Sequence, residues 1–156
     1  MKKRDATGIY VWNVLMKAHH GLREVALRSI ENTGMCFSDF AVLEALLHKG
    51  PMAVNTIGAK VHLTSGSITT AVDRLESRGL VVRQNDASDR RTRIVVLTDE
   101  GRKQIESMFR AHEADMNRAM DVIPASERME LIVLLKKLGR AVQEDTADRV
   151  EESAPL

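Results

Sequence analysis

The 156-residue sequence holds a single cysteine, Cys36. It cannot close a disulfide within the chain, and a four-cysteine zinc site is excluded with it. Aromatic residues are scarce: Tyr10, Trp12, Phe37, Phe40 and Phe109 make up 3% of the chain. Proteins that hold single-stranded nucleic acid stack bases on aromatic faces, so that class is disfavoured. No apolar run approaches the roughly 18–20 residues of a membrane span, and the charged first five residues lead into no signal-peptide core. No membrane association is expected, and a cytoplasmic location is. Glycines that could cradle a phosphate are missing, since Gly8, Gly21 and Gly34 are dispersed. No nucleophile–base arrangement or pair of acids stands out by spacing, so the chain is not expected to be an enzyme or to carry a cofactor. A charge excess is lacking too, with 23 basic residues against 22 acidic. A uniformly basic nucleic-acid coat is thereby excluded; if DNA is the partner, the positive charge must be local.

It is local. Residues 74–93 carry six arginines (74, 78, 83, 90, 91 and 93) against three acids, whereas residues 143–156 carry five acids against Arg149. A near-neutral total conceals a basic middle and an acidic end, and such asymmetry signals a partner. With 44% hydrophobic and 29% charged residues, the chain is globular, one domain or one domain with a helical extension.

The order of elements follows from periodicity. Val11, Leu15, Ala18, Leu22 and Val25 recur at helical spacing over 8–31, with a stripe wide enough to pack on two sides. Gly34 supplies a left-handed stop. Ser38 is the expected N-cap of a second helix burying Phe40, Leu43, Leu46 and Leu47, which Gly50-Pro51 ends. Asn55 is expected to cap a short third helix to about Val61. After a tight turn, Thr64 or Ser65 caps a fourth, to Arg78. In the fourth, Ile68, Val72 and Leu75 make one apolar stripe, and Ser65, Ser67, Thr69, Thr70, Asp73 and Arg74 lie opposite. Two short helices joined in this way form a helix-turn-helix. The second has what a groove reader needs: one face anchored in a core, the other carrying short hydrogen-bonding side chains that let the backbone approach DNA. A β-rich run at 80–83, turn residues at 85–89 and a β-branched run at 93–97 then predict a hairpin tipped by Asp89, Arg90 and Arg91. That is a wing whose arginines can reach the adjacent minor groove. Thr98-Asp99-Glu100 opens a long helix to about Asp121. Pro124 stands near the start of the last helix, which extends to about Ala147, with an acidic tail over 148–156. The fold class is mainly α with a small β-wing: a winged helix-turn-helix lobe over 38–97 and a discontinuous helical dimerisation region over 8–34 and 98–147.

This order, with the segments Phe37-Ser38-Asp39-Phe40-Ala41-Val42-Leu43, Val72-Asp73-Arg74-Leu75-Glu76 continuing to Arg78-Gly79-Leu80-Val81, and Asp89-Arg90-Arg91 followed by Val96-Leu97-Thr98-Asp99-Glu100-Gly101, resembles the MarR family of bacterial regulators over about residues 8–142. The resemblance implies a homodimeric winged-helix DNA binder, usually a repressor released by a small molecule or an oxidant. By position it places Ser65, Ser67, Thr69, Thr70 and Arg74 on the recognition helix, and Asp89 and Arg91 on the wing, where the acid orients the arginine toward the minor groove. Many members carry arginine where this chain has Thr70, so base readout here leans on hydroxyls, the wing and DNA shape. Dimerisation also follows from the residues themselves, because the first and last two helices present more apolar side chains than a small lobe can cover. A two-fold dimer sets its reading helices roughly 34 Å apart and calls for a pseudo-palindromic duplex. The rival without DNA is a helical dimeric interaction module, which leaves Arg74, Arg90 and Arg91 without a use.

The family expectation of an effector pocket, for a small aromatic or phenolic molecule, falls on Trp12, His19, Phe40, His112 and Met116; the same residues also suit a plain core or interface. Cys36, just before the second helix, is either a redox-sensing thiol or a small buried apolar residue. Some relatives bind zinc through the first, second and fifth helices, where His19, Cys36, His48 and His112 lie. No pair of these has the i, i+4 spacing of metal ligands, and no metal site is expected.

Overall fold

The computed structural model describes residues 7–85 and 93–152, with side chains as far as 144. In chain order the elements are α1 (Gly8–Glu31), α2 (Phe37–Lys49), β1 (Met52–Ala53), α3 (Val54–Val61), α4 (Ser65–Ser77), β2 (Val81–Asn85), β3 (Arg93–Leu97), α5 (Asp99–Met120) and α6 (Ala125–Glu152). The chain divides into two compact units, one ending at Ala119 and one beginning at Met120.

The core of the first unit is built from the stripes that the periodicity marks. Phe40, Leu43 and Leu46 of α2 meet Ile57 of α3, Ile68, Val72 and Leu75 of α4, Val81 of β2, Val95 of β3 and Ile105 of α5, all essentially without solvent contact. Thr64 caps α4, its hydroxyl oxygen accepting from the Ser67 amide at 3.3 Å. The turn of the helix-turn-helix passes through His62, which takes φ 54°, a left-handed conformation that costs a side-chain-bearing residue about 1 kcal/mol or more. His62 ends α3 there, and its amide closes on the Gly58 carbonyl.

Four local expectations are corrected. α2 starts one residue before Ser38, with Cys36 in the N-cap position and no side-chain cap bond. α3 starts before Asn55, at Val54, with Ala53 at its N-cap; the Asn55 side chain instead accepts from the Thr56 amide at 2.9 Å. The sheet has a third strand that the sequence did not announce. β1 is two residues long, too short to show an alternation, and it pairs antiparallel with β3 through Met52–Val95 and Ala53–Ile94. β2 pairs with the other side of β3, from Val81–Leu97 to Asn85–Arg93, giving the order β1-β3-β2. Asn85, expected in the turn, is thus the last residue of β2. The expected wing tip, with Asp89, Arg90 and Arg91, lies outside the described residues.

The return of the sheet into α5 is tightly fitted. The Thr98 amide donates to the Leu80 carbonyl at 3.1 Å, and its hydroxyl donates to the Gly79 carbonyl at 2.7 Å while accepting from the Gly101 amide at 2.9 Å. Gly101 lies so close to Leu80 that an added Cβ would collide with the Leu80 carbonyl oxygen.

In the second unit, Arg128 donates its amide to the Pro124 carbonyl at 2.9 Å and pairs with Asp121 at 3.7 Å, fixing the start of α6. The α6 backbone is helical to Glu152, so the acidic tail expected from 148 begins on the helix. Met129, Leu131, Ile132, Val133, Leu134, Leu135, Leu138 and Val142 are all exposed along it.

Gly101→Ala is expected to lower the unfolding free energy by about 1–3 kcal/mol or more, because the obstacle is backbone rather than a side chain that can swing away. Urea denaturation followed by far-ultraviolet circular dichroism measures this.

Candidate nucleic-acid interface

The outward face of α4 carries Ser65, Ser67, Thr69, Thr70 and Arg74, all exposed, while Ile68, Ala71, Val72 and Leu75 anchor the opposite face. The hydroxyls are not idle. Thr69 Oγ1 donates to the Ser65 carbonyl at 3.0 Å, Thr70 Oγ1 donates to the Gly66 carbonyl at 2.9 Å, and Ser67 Oγ lies 2.8 Å from Thr64 Oγ1. A hydroxyl has one proton and two lone pairs. With the threonine protons turned into the helix, Thr69 and Thr70 present acceptors and methyl groups outward. These are complements of the amino groups of adenine and cytosine and of the thymine methyl.

Arg74 departs from the expectation of a free groove cation. Its guanidinium turns back to α2, with Nη2 2.6 Å from Asp39 Oδ1 and Nε 3.3 Å from Oδ2, and Nη2 also reaches Ser38 Oγ at 3.0 Å. Asp39 is 3% exposed. A buried carboxylate demands a cation, and Arg74 supplies it, with Arg78 more distant at 3.9 Å. The hydrogen bond to Asp39 raises the Arg74 pKa above its ordinary value despite partial desolvation, so the cation is held permanently.

A second clasp was not foreseen. Arg83 of β2 pairs with Asp73 at 2.5 Å and with Glu76 through a short contact, both acids lying on α4, and the Arg83 amide donates to Glu76 Oε1 at 3.0 Å. The amide and the guanidinium of Arg83 together hold the Glu76 carboxyl below the usual 4.5. The first wing strand is thus bolted to the recognition helix. The sequence signal was the 73–76–83 spacing of opposite charges, which only the strand's return makes meaningful.

Of the expected pocket residues, Phe40 and His112 are brought together, ring centroids 5.1 Å apart and edge-on, with Phe40 buried in the core and His112 and Met116 partly covered on α5. Trp12 and His19 are exposed on α1. His112 belongs to a polar knot. Ser29 Oγ donates to Asp115 Oδ2 at 2.8 Å, and His112 Nδ1 lies 3.2 Å from Ser29 Oγ. Because the only hydroxyl proton goes to Asp115, the imidazole is the donor to Ser29, an order that does not make Ser29 a nucleophile. Beside the knot an open cleft of about 350 Å³ is lined by residues that include Arg28, Ser29, Asn32 and Arg118. Cys36 is exposed, its Sγ 3.4 Å from Ser38 Oγ and 3.6 Å from Arg74 Nη2, which discards the reading of a buried apolar residue. No group of three His, Cys, Asp or Glu among the described residues could hold a metal ion, and none of the described helices is long and apolar enough to cross a membrane.

Arg74→Ala should destabilise the fold by about 2 kcal/mol, the cost of leaving Asp39 Oδ1 without its charged donor; Arg74→Lys recovers part of that, and thermal unfolding at fixed pH reads both. Glu76 adds a pH dependence. Its folded pKa is depressed, so its contribution is complete above about pH 4.5 and is lost as pH falls through the lowered value. Glu76→Gln is expected to flatten the acid limb of a stability-against-pH curve while leaving its shape above pH 6 unaltered.

Comparison with known proteins agrees with this geometry. The MarR family model matches residues 38–92. The HTH-type transcriptional regulator YkoM of Bacillus subtilis is 34% identical over 129 residues, covering 83% of this chain and 84% of that one. MhqR, a second regulator of the same organism, is 33% identical over 126 residues, covering 81% and 87%. Among solved structures, CouR of Rhodococcus jostii bound to p-coumaroyl-CoA superposes with a TM-score of 0.71 at 25% identity, covering 82% of this chain and 90% of that one. The same repressor on a 23-mer DNA duplex gives 0.69 at 24%, covering 81% and 89%, a likeness of fold. A recognition helix with a hydroxyl face, clasped on one side to α2 and on the other to a wing strand, is carried by a chain that belongs to the MarR family of transcriptional regulators.

Proposed function

We propose that the protein is a cytoplasmic homodimeric repressor that occupies a pseudo-palindromic duplex site and leaves it when a small aromatic or phenolic molecule, or an oxidant, is present. The observation that carries the reading is the outward face of α4. Ser65, Ser67, Thr69 and Thr70 stand exposed on a helix whose other face is locked into the core, and nothing in a helical interaction module requires that division. Asp89, Arg90 and Arg91 complete the proposed interface from the wing, Asp89 steadying the arginines and Arg91 entering the minor groove. CouR, a repressor of the same fold, has been captured on a duplex.

Two helices support the dimer. On α1, Ile9 and Trp12 are 67% and 56% exposed; on α6, Leu134 is 63% exposed, flanked by Val133 and Leu135. Apolar surface of that extent on a monomer marks an interface. The proposed division is therefore a lobe over 38–97 that meets DNA and a helical region over 8–34 and 98–147 that pairs with a second copy.

The effector site is proposed around His112, Phe40 and Met116, with Trp12 and His19 of α1 contributing from a dimer. CouR, which binds p-coumaroyl-CoA, is a precedent for an aromatic ligand on this fold. The oxidant route is proposed through Cys36. Peroxide would convert the exposed thiol to a sulfenic acid, releasing water, and place a polar oxygen beside Arg74, 3.6 Å from the present sulfur. That oxygen competes with Asp39 for the guanidinium that positions α4.

Selection of bound duplexes from a random pool, followed by titration at two salt concentrations, tests the central reading: affinity should fall steeply with salt, as phosphate neutralisation demands, and an interaction module would select no sequence. Arg91→Ala should weaken binding and reduce that steepness. Leu134→Asp should yield monomers by analytical ultracentrifugation and abolish binding to the full palindrome, because each lobe alone reads one half-site. Loss of duplex binding on stoichiometric peroxide in the wild type, with binding kept in Cys36→Ser, identifies the thiol.

A further inference from the structure

The basic middle of the chain is less available than its composition suggests. Arg74 and Arg78 face Asp39, and Arg83 is held by Asp73 and Glu76. Among the described residues of the 74–93 stretch, only the Arg93 guanidinium has neither an ion pair nor a hydrogen bond. Arg93 opens β3, is exposed, and faces a cleft of about 470 Å³ formed by α3, the turn and the first residues of α4. Two other polar side chains line it, Asn55 and Ser65. Asn55 Oδ1 is occupied by the Thr56 amide, which leaves its NH₂ group as donor. Ser65 Oγ is free to donate among the described residues. The remaining described lining residues are apolar, Val54, Ala59 and Leu63 among them, and among the described residues no acid lines the cleft.

Three donors, one of them a fixed cation, above an apolar floor beside the first turn of the recognition helix describe a receptor for an oxyanion that carries a hydrophobic body. A phosphodiester with its deoxyribose is such a group. We propose that Arg93, Asn55 and Ser65 form a seat for one phosphate of the duplex backbone, the sugar resting on Val54, Ala59 and Leu63, and that this seat sets the register of α4 in the groove. The proposal rests on the DNA-binding reading above. Base identity plays no part in it, because a phosphate contact positions without specifying. The guanidinium suits the role, since its planar fork can donate two parallel hydrogen bonds to a phosphate.

The test uses the full-length protein and fluorescence anisotropy, with the duplex recovered by selection and an unrelated duplex of equal length, over a range of potassium chloride concentrations. Arg93→Gln should weaken both duplexes by the same factor and reduce the slope of log affinity against log salt by about 0.9 for each protomer bound. Arg93→Lys should restore the slope and only part of the affinity, as a point charge replaces a fork. A thermal midpoint equal to wild type shows that the variant is folded. A duplex with methylphosphonate at successive positions should show one position per half-site where wild type loses affinity and Arg93→Gln does not. An unchanged salt slope in Arg93→Gln, a loss confined to the selected sequence, or the absence of any methylphosphonate position distinguishing the two proteins overturns the seat while leaving DNA binding intact. Wild type indifferent to both duplexes overturns the DNA reading itself.

Discussion

A carboxylate buried in the first turn of α2 governs the geometry of the reading surface. Asp39 has almost no access to water, and an unpaired charge in that position would cost several kcal/mol. The nearest remedy is a long cation from the helix packed across it, and Arg74 bends back from α4 to provide two hydrogen bonds to the carboxylate. The consequence runs outward. The arginine that composition would assign to the groove becomes a strut between α2 and α4, and the exposed face of the recognition helix is left to small hydroxyls. Because Arg83 holds Asp73 and Glu76 from the wing strand, α4 is gripped on both flanks. A helix so constrained meets DNA as a rigid ruler whose pitch is set before binding, and pre-organisation of that kind lowers the ordering cost of association.

The same pairing limits how a chain with 23 basic and 22 acidic residues can address a polyanion. Most of the described arginines around α4 are neutralised internally, so on the interface proposed above attraction for DNA rests on few points: Arg93 at the base of the wing and the arginines at 90 and 91. Few phosphate contacts mean modest non-specific binding. Discrimination then depends more on the fit of hydroxyl acceptors, threonine methyls and groove shape than on long-range charge.

What the sequence made legible, and what it hid, divides along one line. Features written within a dozen neighbouring residues were visible: the stripe Ile68–Val72–Leu75, the Thr64 cap, the left-handed stop at Gly34 with φ 77°, and the Thr98-Asp99-Glu100 start of α5. The family resemblance was legible in the same local segments. Features made by distant partners were not. Asp39 and Arg74 are 35 residues apart, and nothing local distinguishes a guanidinium that will turn inward from one that will face a groove. β1 escaped because two residues carry no period; Met52 and Ala53 are a strand only because β3 offers them an edge. The Gly101–Leu80 approach was equally silent, since a glycine in the first turn of a helix is a weak propensity choice until the carbonyl against it is known. Of the candidate pocket, Phe40 and His112 do meet, while Trp12 and His19 share only the right chemistry.

Regulation in such a molecule depends on what joins the effector region to the strut. Phe40 follows Asp39 on α2 and holds the His112 ring edge-on at 5.1 Å, while His112 donates to Ser29 of α1, itself bound to Asp115. α1, α5 and α2 therefore converge on two adjacent residues of α2, one facing the helical region and the other facing Arg74. A well-packed junction of this sort shifts between discrete arrangements more readily than it deforms smoothly. A ligand near His112 can change DNA affinity only through a difference in its binding free energy between the arrangement that fits DNA and one that does not. Tight binding alone moves nothing. On the effector site proposed above, an inducer acts by altering the Phe40–His112 contact or the donor that Ser29 receives, two of the contacts that join α1 and α5 to the helix carrying Asp39.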